Sequence, residues 1–404
     1  MLWRFTQEHN QAIYFWIDAI CIDQTNDIEK GHQVALMDKI YSSAKLTIIW
    51  VGQEDEFTKD AMSVIDYIGK VPLERHNEIK PSDWHNQNSA LKRIGSKPQD
   101  YRKWLGLIAL LNRPYFSRIW IVQEILLSKI VLLVCGDFQI PWYLVGNTIS
   151  FVITAGWLQH LTVLAFTELP LVMARPGPYR SMLEDRNLSL GLQAINLEVS
   201  RTGILRSGHL GVFRHLLEVF RASEANDPRD KIYALLGITW REKPPFLNYP
   251  DALVPDYTLT SQQLFTKTAR LLLLGREDLR YLCHVEDRSL RKIEGLPSWV
   301  PDYTAPLWPR PFYLSSSNKE FAATKGLLKL ESHVPSVFET SLDKEFSSPH
   351  LRVRGLRLST LKALARFSDT ISPKYSSHVF ESSWSDIFGY VANISLCQIS
   401  TLNP

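Results

Sequence analysis

The sequence predicts an α/β fold in which a parallel, doubly wound sheet is followed by a mostly helical region with a small antiparallel β element. Residues 14–52 have the pattern strand, helix, strand, and so close a succession requires a parallel sheet with a right-handed crossover. A third apolar strand, 130–135, follows two helical segments. Helical spacing dominates 211–274, and alternating apolar residues, typical of an antiparallel pair of strands, follow in 326–332 and 350–364.

The first predicted strand is 14–21, a run of aromatic and β-branched residues that only Asp18 interrupts. Such a run is typical of a buried parallel strand. Asn26 or Asp27 then caps a helix whose apolar residues recur at helical spacing as far as Ala44. The second strand is 45–51, and Gly52 ends it.

Residues 55–100 are polar and contain three prolines, so we expect an insertion with one helix at about 58–69. In the apolar block that follows, one helix ends before Pro114 and a second extends from about Ser117 to Ser128. The strand 130–135 closes this part of the chain. We therefore predict a domain over residues 1–137.

A helical region, 138–310, is predicted to pack on that domain, and a small β-containing region, 311–404, to follow it. Within 211–238 we expect two helices, the second with Asp227 as its cap, Pro228 in its first position and Gly237 at its end. In the loop at 296–303, Trp299 and Tyr303 are expected to pack onto a core.

Residues 138–167 contain no Asp, Glu, Lys or Arg and are long enough to cross a bilayer. Polar residues interrupt the apolar ones, and no basic cluster lies close by. We therefore favour a buried helical hairpin over a membrane span, and a membrane partner is not expected.

Net charge and cysteine spacing argue against some classes of partner and site. A net charge of +3 over 404 residues is too small to indicate a nucleic-acid partner. The four cysteines are far apart, and neither they nor the histidines have metal-ligand spacing, so we predict no metal site and no disulfide framework. Free cysteines indicate a reducing compartment, and we expect a cytoplasmic protein.

Acidic and polar residues mark the predicted first strand and its end. Asp18 lies inside the strand, and Asp23 and Gln24 lie just beyond its carboxyl end. Ligands of parallel α/β sheets bind beyond the carboxyl ends of the strands. These three residues are therefore candidates for a polar ligand site.

Four motifs together carry a family resemblance. They are WIDAICIDQTNDIEKGHQVALMDKIYSSAKLTIIWVG (16–52), RPYFSRIWIVQE (113–124), DPRDKIYALLGI (227–238) and LPSWVPDY (296–303). In this order they resemble the fungal heterokaryon incompatibility (HET) domain family. That resemblance implies a TIR-like, flavodoxin-like parallel sheet. It also implies a function in non-self recognition, a form of innate immunity that ends in programmed death of incompatible cells.

The sequence departs from the family at its beginning. Members of the family start with a strand and a helix ahead of the segment that matches residues 14–21. The first strand of the sheet is therefore expected to be missing here. Either the gene model is short, or the domain has decayed and is inactive, or a partner supplies the strand.

The resemblance also suggests a chemistry. TIR-type enzymes that cleave NAD use a glutamate four residues after a tryptophan, and Trp120 and Glu124 have this spacing. A fixed carboxylate stabilises the positive charge that develops on a ribose as its glycosidic bond breaks. Glu124 is thus the candidate catalytic residue, with NAD as its substrate. Asp18, Asp23, Gln24, Arg118 and Trp120 are candidates for binding the nucleotide.

Three of these residues also have a purely structural interpretation. Trp120 then anchors a core, Glu124 pairs with Arg118 or Arg113, and Asp18 caps a helix or pairs with a buried arginine. Arg229, in the third motif, is expected to clamp its helix to the first domain.

Two hypotheses follow for the function. In the first, the domain signals cell death by assembling with copies of itself or with another incompatibility or receptor protein. In the second, the protein is an NAD glycohydrolase that uses Glu124. An open cleft shared by Glu124 and Asp23 would favour the enzyme, whereas a Glu124 buried in an ion pair would favour assembly.

Overall fold

The computed structural model describes residues 14–164, 192–207, 213–239, 253–274 and 280–305. All of them lie in one compact unit, Met1–Arg354. A second unit, Gly355–Pro404, lies outside the described residues, and so do the predicted strands at 326–332 and 350–364.

Three strands form the described sheet, in the order β1 (Thr47–Trp50), β2 (Val131–Cys135) and β3 (Phe138–Pro141). β1 and β2 are parallel, as predicted for segments 45–51 and 130–135. β3 returns antiparallel to β2 through a turn at Gly136, whose φ of 55° is accessible to glycine without strain. The α/β class is confirmed, but the sheet is mixed rather than wholly parallel.

The predicted strand at 14–21 is wrong. Residues 14–17 are irregular, and Asp18–Cys21 forms a single helical turn. The carbonyl of Ile17 accepts hydrogen bonds from the amides of Ile20 and Cys21, and the Asp18 carboxylate accepts one from the amide of Ala19. The polar groups of this segment are thus satisfied locally, which competes with pairing in a ladder.

The crossover between this segment and β1 is helical, as predicted, but it consists of two helices. Asp27–Val34 begins at Asn26, whose side chain accepts hydrogen bonds from the amides of Ile28 and Glu29. Met37–Ser43 follows after a short break. Asn26 is therefore the cap, which decides between the two residues that the sequence offered.

Two long helices lie in close contact in residues 14–137, which we call the first region. Thr58–Ile68 confirms the helix predicted at 58–69, and Tyr101–Leu111 ends before Pro114 as expected. Gly106 makes the contact possible, because a Cβ atom at this position would lie 2.7 Å from the backbone nitrogen of Ala61.

The segment between these helices contains helical structure that was not predicted, since 58–69 was the one helix expected within residues 55–100. Two 3-10 helices, Leu73–Glu78 and Pro81–Asn86, lead into the helix Gln87–Arg93. Trp84 is buried and joins Trp104 and Trp157 in an aromatic cluster. The burial of this indole ties the segment to the core.

The uncharged segment forms β3, then the helix Trp142–Thr154, then a helical segment at 158–164. Gly156, with a φ of 70°, turns the chain between the two helical parts. The expected helical hairpin is therefore confirmed for the part described, although a strand precedes it. None of the helices in the described ranges has the length and apolarity that a bilayer crossing requires.

The rest of the described chain is mostly helical, as predicted for 138–310, but the helix Leu192–Ser207 lies where the sequence, at 184–209, indicated a boundary or long loops. Its elements are the α-helices Leu192–Ser207, Phe213–Val219, Asp230–Thr239 and Ser261–Leu274 and the 3-10 helices Arg280–His284 and Arg288–Leu290. Gly237 was predicted to end its helix, but it lies inside the helix Asp230–Thr239. A Cβ atom there would be 2.8 Å from Cβ of Asp38, so the glycine permits close packing. Trp299 and Tyr303 are buried, which confirms that their loop packs onto a core.

Candidate functional site

The candidate catalytic residue lies on a short helix, Ile121–Leu126, which we call the Glu124 helix. It begins four residues later than predicted, because Ser117 belongs to the preceding 3-10 turn, Pro114–Ser117. The Ser117 hydroxyl lies 2.9 Å from the carbonyl oxygen of Pro114 and 2.8 Å from the carboxylate of Glu224. Trp120 precedes the helix, one turn before Glu124.

The carboxylate of Glu124 accepts a hydrogen bond from a tyrosine. The hydroxyl of Tyr115 donates a hydrogen bond of 2.6 Å to Oε2. Burial raises the pKa of Glu124 above its usual value, and the nearby charge of Asp18 acts in the same direction. The hydrogen bond from Tyr115 and the positive charge of Arg118 oppose this rise in pKa.

A second tyrosine belongs to the same group. Tyr41, on Met37–Ser43, has its pKa raised by burial and by the negative charges of Glu124 and Asp18. The Glu124 cluster, as we use the term, is Asp18, Tyr41, Tyr115, Arg118 and Glu124. Sequence reasoning missed both tyrosines, since a turn separates Tyr115 from the helix and Tyr41 lies more than 80 residues away from Glu124 in the chain.

The other two polar candidates have local roles in the structure. The carboxylate of Asp23 accepts hydrogen bonds from the hydroxyl and the amide of Thr25, and these bonds lower the pKa of Asp23. The Gln24 side chain donates a weak hydrogen bond of 3.3 Å to the carbonyl of Asp18. Asp23 and Gln24 are exposed. Both residues stabilise the loop that follows Asp18–Cys21, a pattern typical of Asx turns.

Trp120 connects the Glu124 helix to the 213–239 region. Its indole nitrogen donates a hydrogen bond of 3.0 Å to Oδ2 of Asp230, and the Tyr257 hydroxyl donates one of 2.6 Å to Oδ1. Burial raises the pKa of Asp230, and these two hydrogen bonds oppose the rise. Trp120 thus has the geometry of an anchor between two parts of the chain.

Backbone pairing supports the same connection. The amide of Ile119 donates to the carbonyl of Glu224 over 2.8 Å, and the amide of Glu224 donates to the carbonyl of Ser117 over 2.6 Å. Arg118 and Glu224 thereby form an isolated parallel bridge. The side chain of Arg118 is exposed.

The Glu124 helix ends near the amino end of β1. The hydroxyl of Ser128 donates to the carbonyl of Glu124 and lies 2.6 Å from Oγ1 of Thr47, the first residue of β1. The sequence placed the ligand site at the opposite, carboxyl end of the strands. The Glu124 helix therefore ends beside the amino end of β1, not beside the carboxyl ends of the strands.

An arginine occupies the carboxyl end of β1. Arg113 is buried, and its guanidinium donates to the carbonyls of Val51 and Gln53 and pairs with Asp55 at 2.8 Å. The structural interpretation that paired Glu124 with Arg113 is therefore wrong, because Asp55 is the partner of Arg113. Sequence reasoning missed this pair, which brings together residues 58 positions apart.

The motif at 227–238 contacts the first region through Asp227 rather than through the predicted Arg229. Asp227 pairs with Lys30 of the first region at 3.7 Å and with Arg229 at 2.7 Å. Arg229 donates instead to the carbonyl of Leu259, over 2.9 Å, and to that of Tyr257. Asp227 therefore makes the contact with the first region, and Arg229 holds the 257–259 loop.

The described residues contain no group of three or more His, Cys, Asp or Glu side chains placed to hold a metal ion. The chemistry that the Glu124 cluster offers is therefore that of two half-buried carboxylates, two phenols and an exposed guanidinium. Such a group can bind a polar ligand, stabilise a positive charge or hold a protein partner.

Comparisons with known proteins agree with the family resemblance. Residues 3–124 match the family model described as heterokaryon incompatibility protein (HET). The chain is also 27% identical over 330 residues to heterokaryon incompatibility protein 6, OR allele, of Neurospora crassa, an alignment that covers 72% of this chain and 45% of the relative. The chain thus spans less than half of the length of that relative. No solved structure matches the chain significantly.

Proposed function

Because the chain belongs to the heterokaryon incompatibility family, through residues 3–124, we propose that it acts in fungal non-self recognition. In this proposal its TIR-like domain promotes programmed cell death by assembling with copies of itself or with another incompatibility or receptor protein. The chemistry of the domain is then recognition rather than turnover.

The observation that carries the proposal is the alignment with the Neurospora protein. It extends over 330 residues, well beyond the matched family domain. The contacts support a signalling unit larger than that domain, since Trp120 bonds to Asp230 and Lys30 pairs with Asp227. Through these contacts a conformational change in one part of the chain can be transmitted to the other.

The Glu124 helix also favours assembly over catalysis. The indole nitrogen of Trp120 is engaged by Asp230, and Oε2 of Glu124 is engaged by Tyr115. Asp23, the proposed partner across a cleft, is bonded to Thr25. The groups that would contact a nucleotide thus have structural partners of their own.

One observation supports the alternative function, NAD cleavage. Glu124 is a half-buried carboxylate with a raised pKa, and Asp18, Tyr41 and the exposed Arg118 approach it from separate segments. Convergence of ionisable groups with perturbed pKa values is typical of active sites. In that function Glu124 would stabilise the ribose cation as nicotinamide leaves.

A matched pair of variants separates the two functions. Glu124→Gln keeps the shape of the side chain and removes its charge, and Glu56→Gln makes the same change at an exposed glutamate. Each protein is expressed in a fungal host to score cell death, sized by sedimentation, and incubated with NAD to follow nicotinamide release.

We expect wild type, Glu124→Gln and Glu56→Gln to kill equally, to form the same oligomers and to release no nicotinamide. If the wild type releases nicotinamide and Glu124→Gln is slower by about two orders of magnitude, on the order of 3 kcal/mol, the catalytic function replaces assembly. A wild-type protein that is expressed in folded form and leaves cells viable would contradict the role in cell death.

A further inference from the structure

Two histidines lie side by side in a part of the chain that the proposed function does not use. The imidazole of His160 stacks on the indole of Trp84, with ring centres 5.4 Å apart and planes within 6°. The ring of His85 stands nearly perpendicular to that of His160, with the centres 5.6 Å apart. His85 is exposed and His160 is half-buried, so solvent reaches the pair.

The nitrogen atoms of these rings have no partner in the part of the chain that the structure describes. Neither imidazole forms a hydrogen bond or an ion pair with a described residue. A neutral imidazole has one ring nitrogen with a free lone pair, and that nitrogen is a metal ligand. The pair therefore offers two ligand atoms from two segments.

The spacing of the rings suits a shared metal ion. Zinc–nitrogen distances in proteins are about 2.0–2.1 Å, so each ring centre lies about 3 Å from a bound ion. Two imidazoles on a tetrahedral ion then have their centres about 5 Å apart. The separation of 5.6 Å between the two ring centres is close to this value.

The scaffold beneath the pair is rigid. The indole nitrogen of Trp157 donates to the carbonyl of Lys80 over 3.1 Å, and Trp84 packs edge-on against Trp157. Pro81 lies against Gly156, where an added Cβ atom would come within 2.7 Å of its ring. The 3-10 helix with His85 and the segment with His160 are thus fixed to each other, which reduces the entropy lost on binding.

We propose that His85 and His160 form a surface site for one divalent transition-metal ion, of the kind that prefers imidazole, namely Zn²⁺, Ni²⁺ or Cu²⁺. The described residues supply no cluster of three or more metal-binding side chains, so water completes the coordination. A bound ion would link Pro81–Asn86 to the 158–164 segment.

The test is calorimetric titration of the purified 404-residue protein with Ni²⁺, which binds thiols less readily than Cu²⁺. His85→Ala and His160→Ala should each weaken binding at least about tenfold, because each removes one ligand. His32→Ala removes another exposed histidine, on the helix Asp27–Val34, and should leave the affinity unchanged. The exposed thiols of Cys21 and Cys283 remain in all of these proteins, so they cannot cause a difference among them.

Thermal unfolding gives a second readout. Ni²⁺ should raise the melting temperature of the wild type and of His32→Ala, since it binds the folded state, and should raise it less in the two site variants. Circular dichroism without metal checks that the variants fold. Equal Ni²⁺ affinity in the wild type and both site variants, or no binding by the wild type, would overturn the proposal.

Discussion

Lys231 is buried on the helix Asp230–Thr239, and its ammonium group donates hydrogen bonds to the backbone carbonyls of Arg221 and Ser223. Burial lowers the pKa of this lysine from 10.5 to about 7, and the charges of Arg221 and Lys292 contribute in the same direction. In the unfolded chain the lysine has its ordinary pKa. Between pH 7 and 10.5 the unfolded state therefore binds more protons than the folded state.

This difference predicts a pH dependence of stability. The free energy of unfolding should rise with pH through this window, by about 2 kcal/mol between pH 7.5 and 9.5. Lys231→Met should lack this rise, whatever its absolute stability. Urea unfolding of both proteins at several pH values measures the slopes.

Lys39→Met is the matched control, because Lys39 is exposed on the helix Met37–Ser43. Its slope should equal that of the wild type. If Lys231→Met also keeps the slope of the wild type, the lysine is charged in the folded protein at neutral pH and the lowered pKa is wrong.

At the scale of single elements, local hydrogen bonds decide where helices begin. Asn26 caps Asp27–Val34 through the amides of Ile28 and Glu29, and Asp18 starts a turn where a strand was expected. Both are Asx residues, whose short polar side chains compete with ladder pairing for the backbone amides. The apolar neighbours of Asp18 favoured a strand in the sequence, but the turn satisfies the amides without a partner strand.

The cap makes a testable contribution. Asn26→Ala removes the acceptor for two amides and should lower the free energy of unfolding by about 1 kcal/mol. Asn77→Ala is the comparison, since its exposed side chain makes no hydrogen bond among the described residues, and it should change stability by less than about 0.5 kcal/mol. Chemical denaturation of both variants distinguishes them. Equal losses would mean that the cap contributes nothing.

At the scale of the whole molecule, a few polar contacts join the first region to the 213–305 segment. Trp120 bonds to Asp230, Ser117 and Ile119 bond to Glu224, and Lys30 pairs with Asp227. The helix that begins at Asp230 also packs against the Glu124 helix. These contacts support our expectation that the 213–305 segment packs on the first region and does not fold as an independent module.

Trp120→Phe tests this connection. The substitution keeps a ring in place but removes the donor to the buried carboxylate of Asp230, which should cost about 1–3 kcal/mol. Trp16→Phe changes an indole that packs edge-on against Tyr41, and its nitrogen forms no hydrogen bond with a described residue, so the cost should be smaller. Denaturation followed by tryptophan fluorescence measures both losses.

Limited proteolysis gives the structural readout for the same variant. Trp120→Phe should increase cleavage between the two regions, and the wild type should not release a stable fragment of residues 1–170. A folded fragment of this kind with the melting temperature of the intact protein would show that the contacts between the regions do not stabilise the fold.

The sequence by itself indicated the resemblance to the heterokaryon incompatibility family, the parallel pairing of β1 with β2, the cap region at Asn26 and most of the helices. The helices and the cap depend on neighbours within a few turns, and the family resemblance depends on motifs that are contiguous in the chain. Hydrophobic periodicity and capping residues report such local preferences directly. The parallel pairing of β1 with β2 was predicted correctly, but the strand–helix–strand unit predicted at 14–52 is absent because residues 18–21 form a helical turn.

Only the tertiary structure decided what surrounds Glu124 and which candidates meet there. Tyr41 and Tyr115 approach Glu124 from other segments, Trp120 is engaged by Asp230, and Arg113 is engaged by Asp55. These partners are separated in sequence by between nine and 110 residues. Periodicity carries no information about such pairs, because burial and long-range packing determine them after the elements have formed.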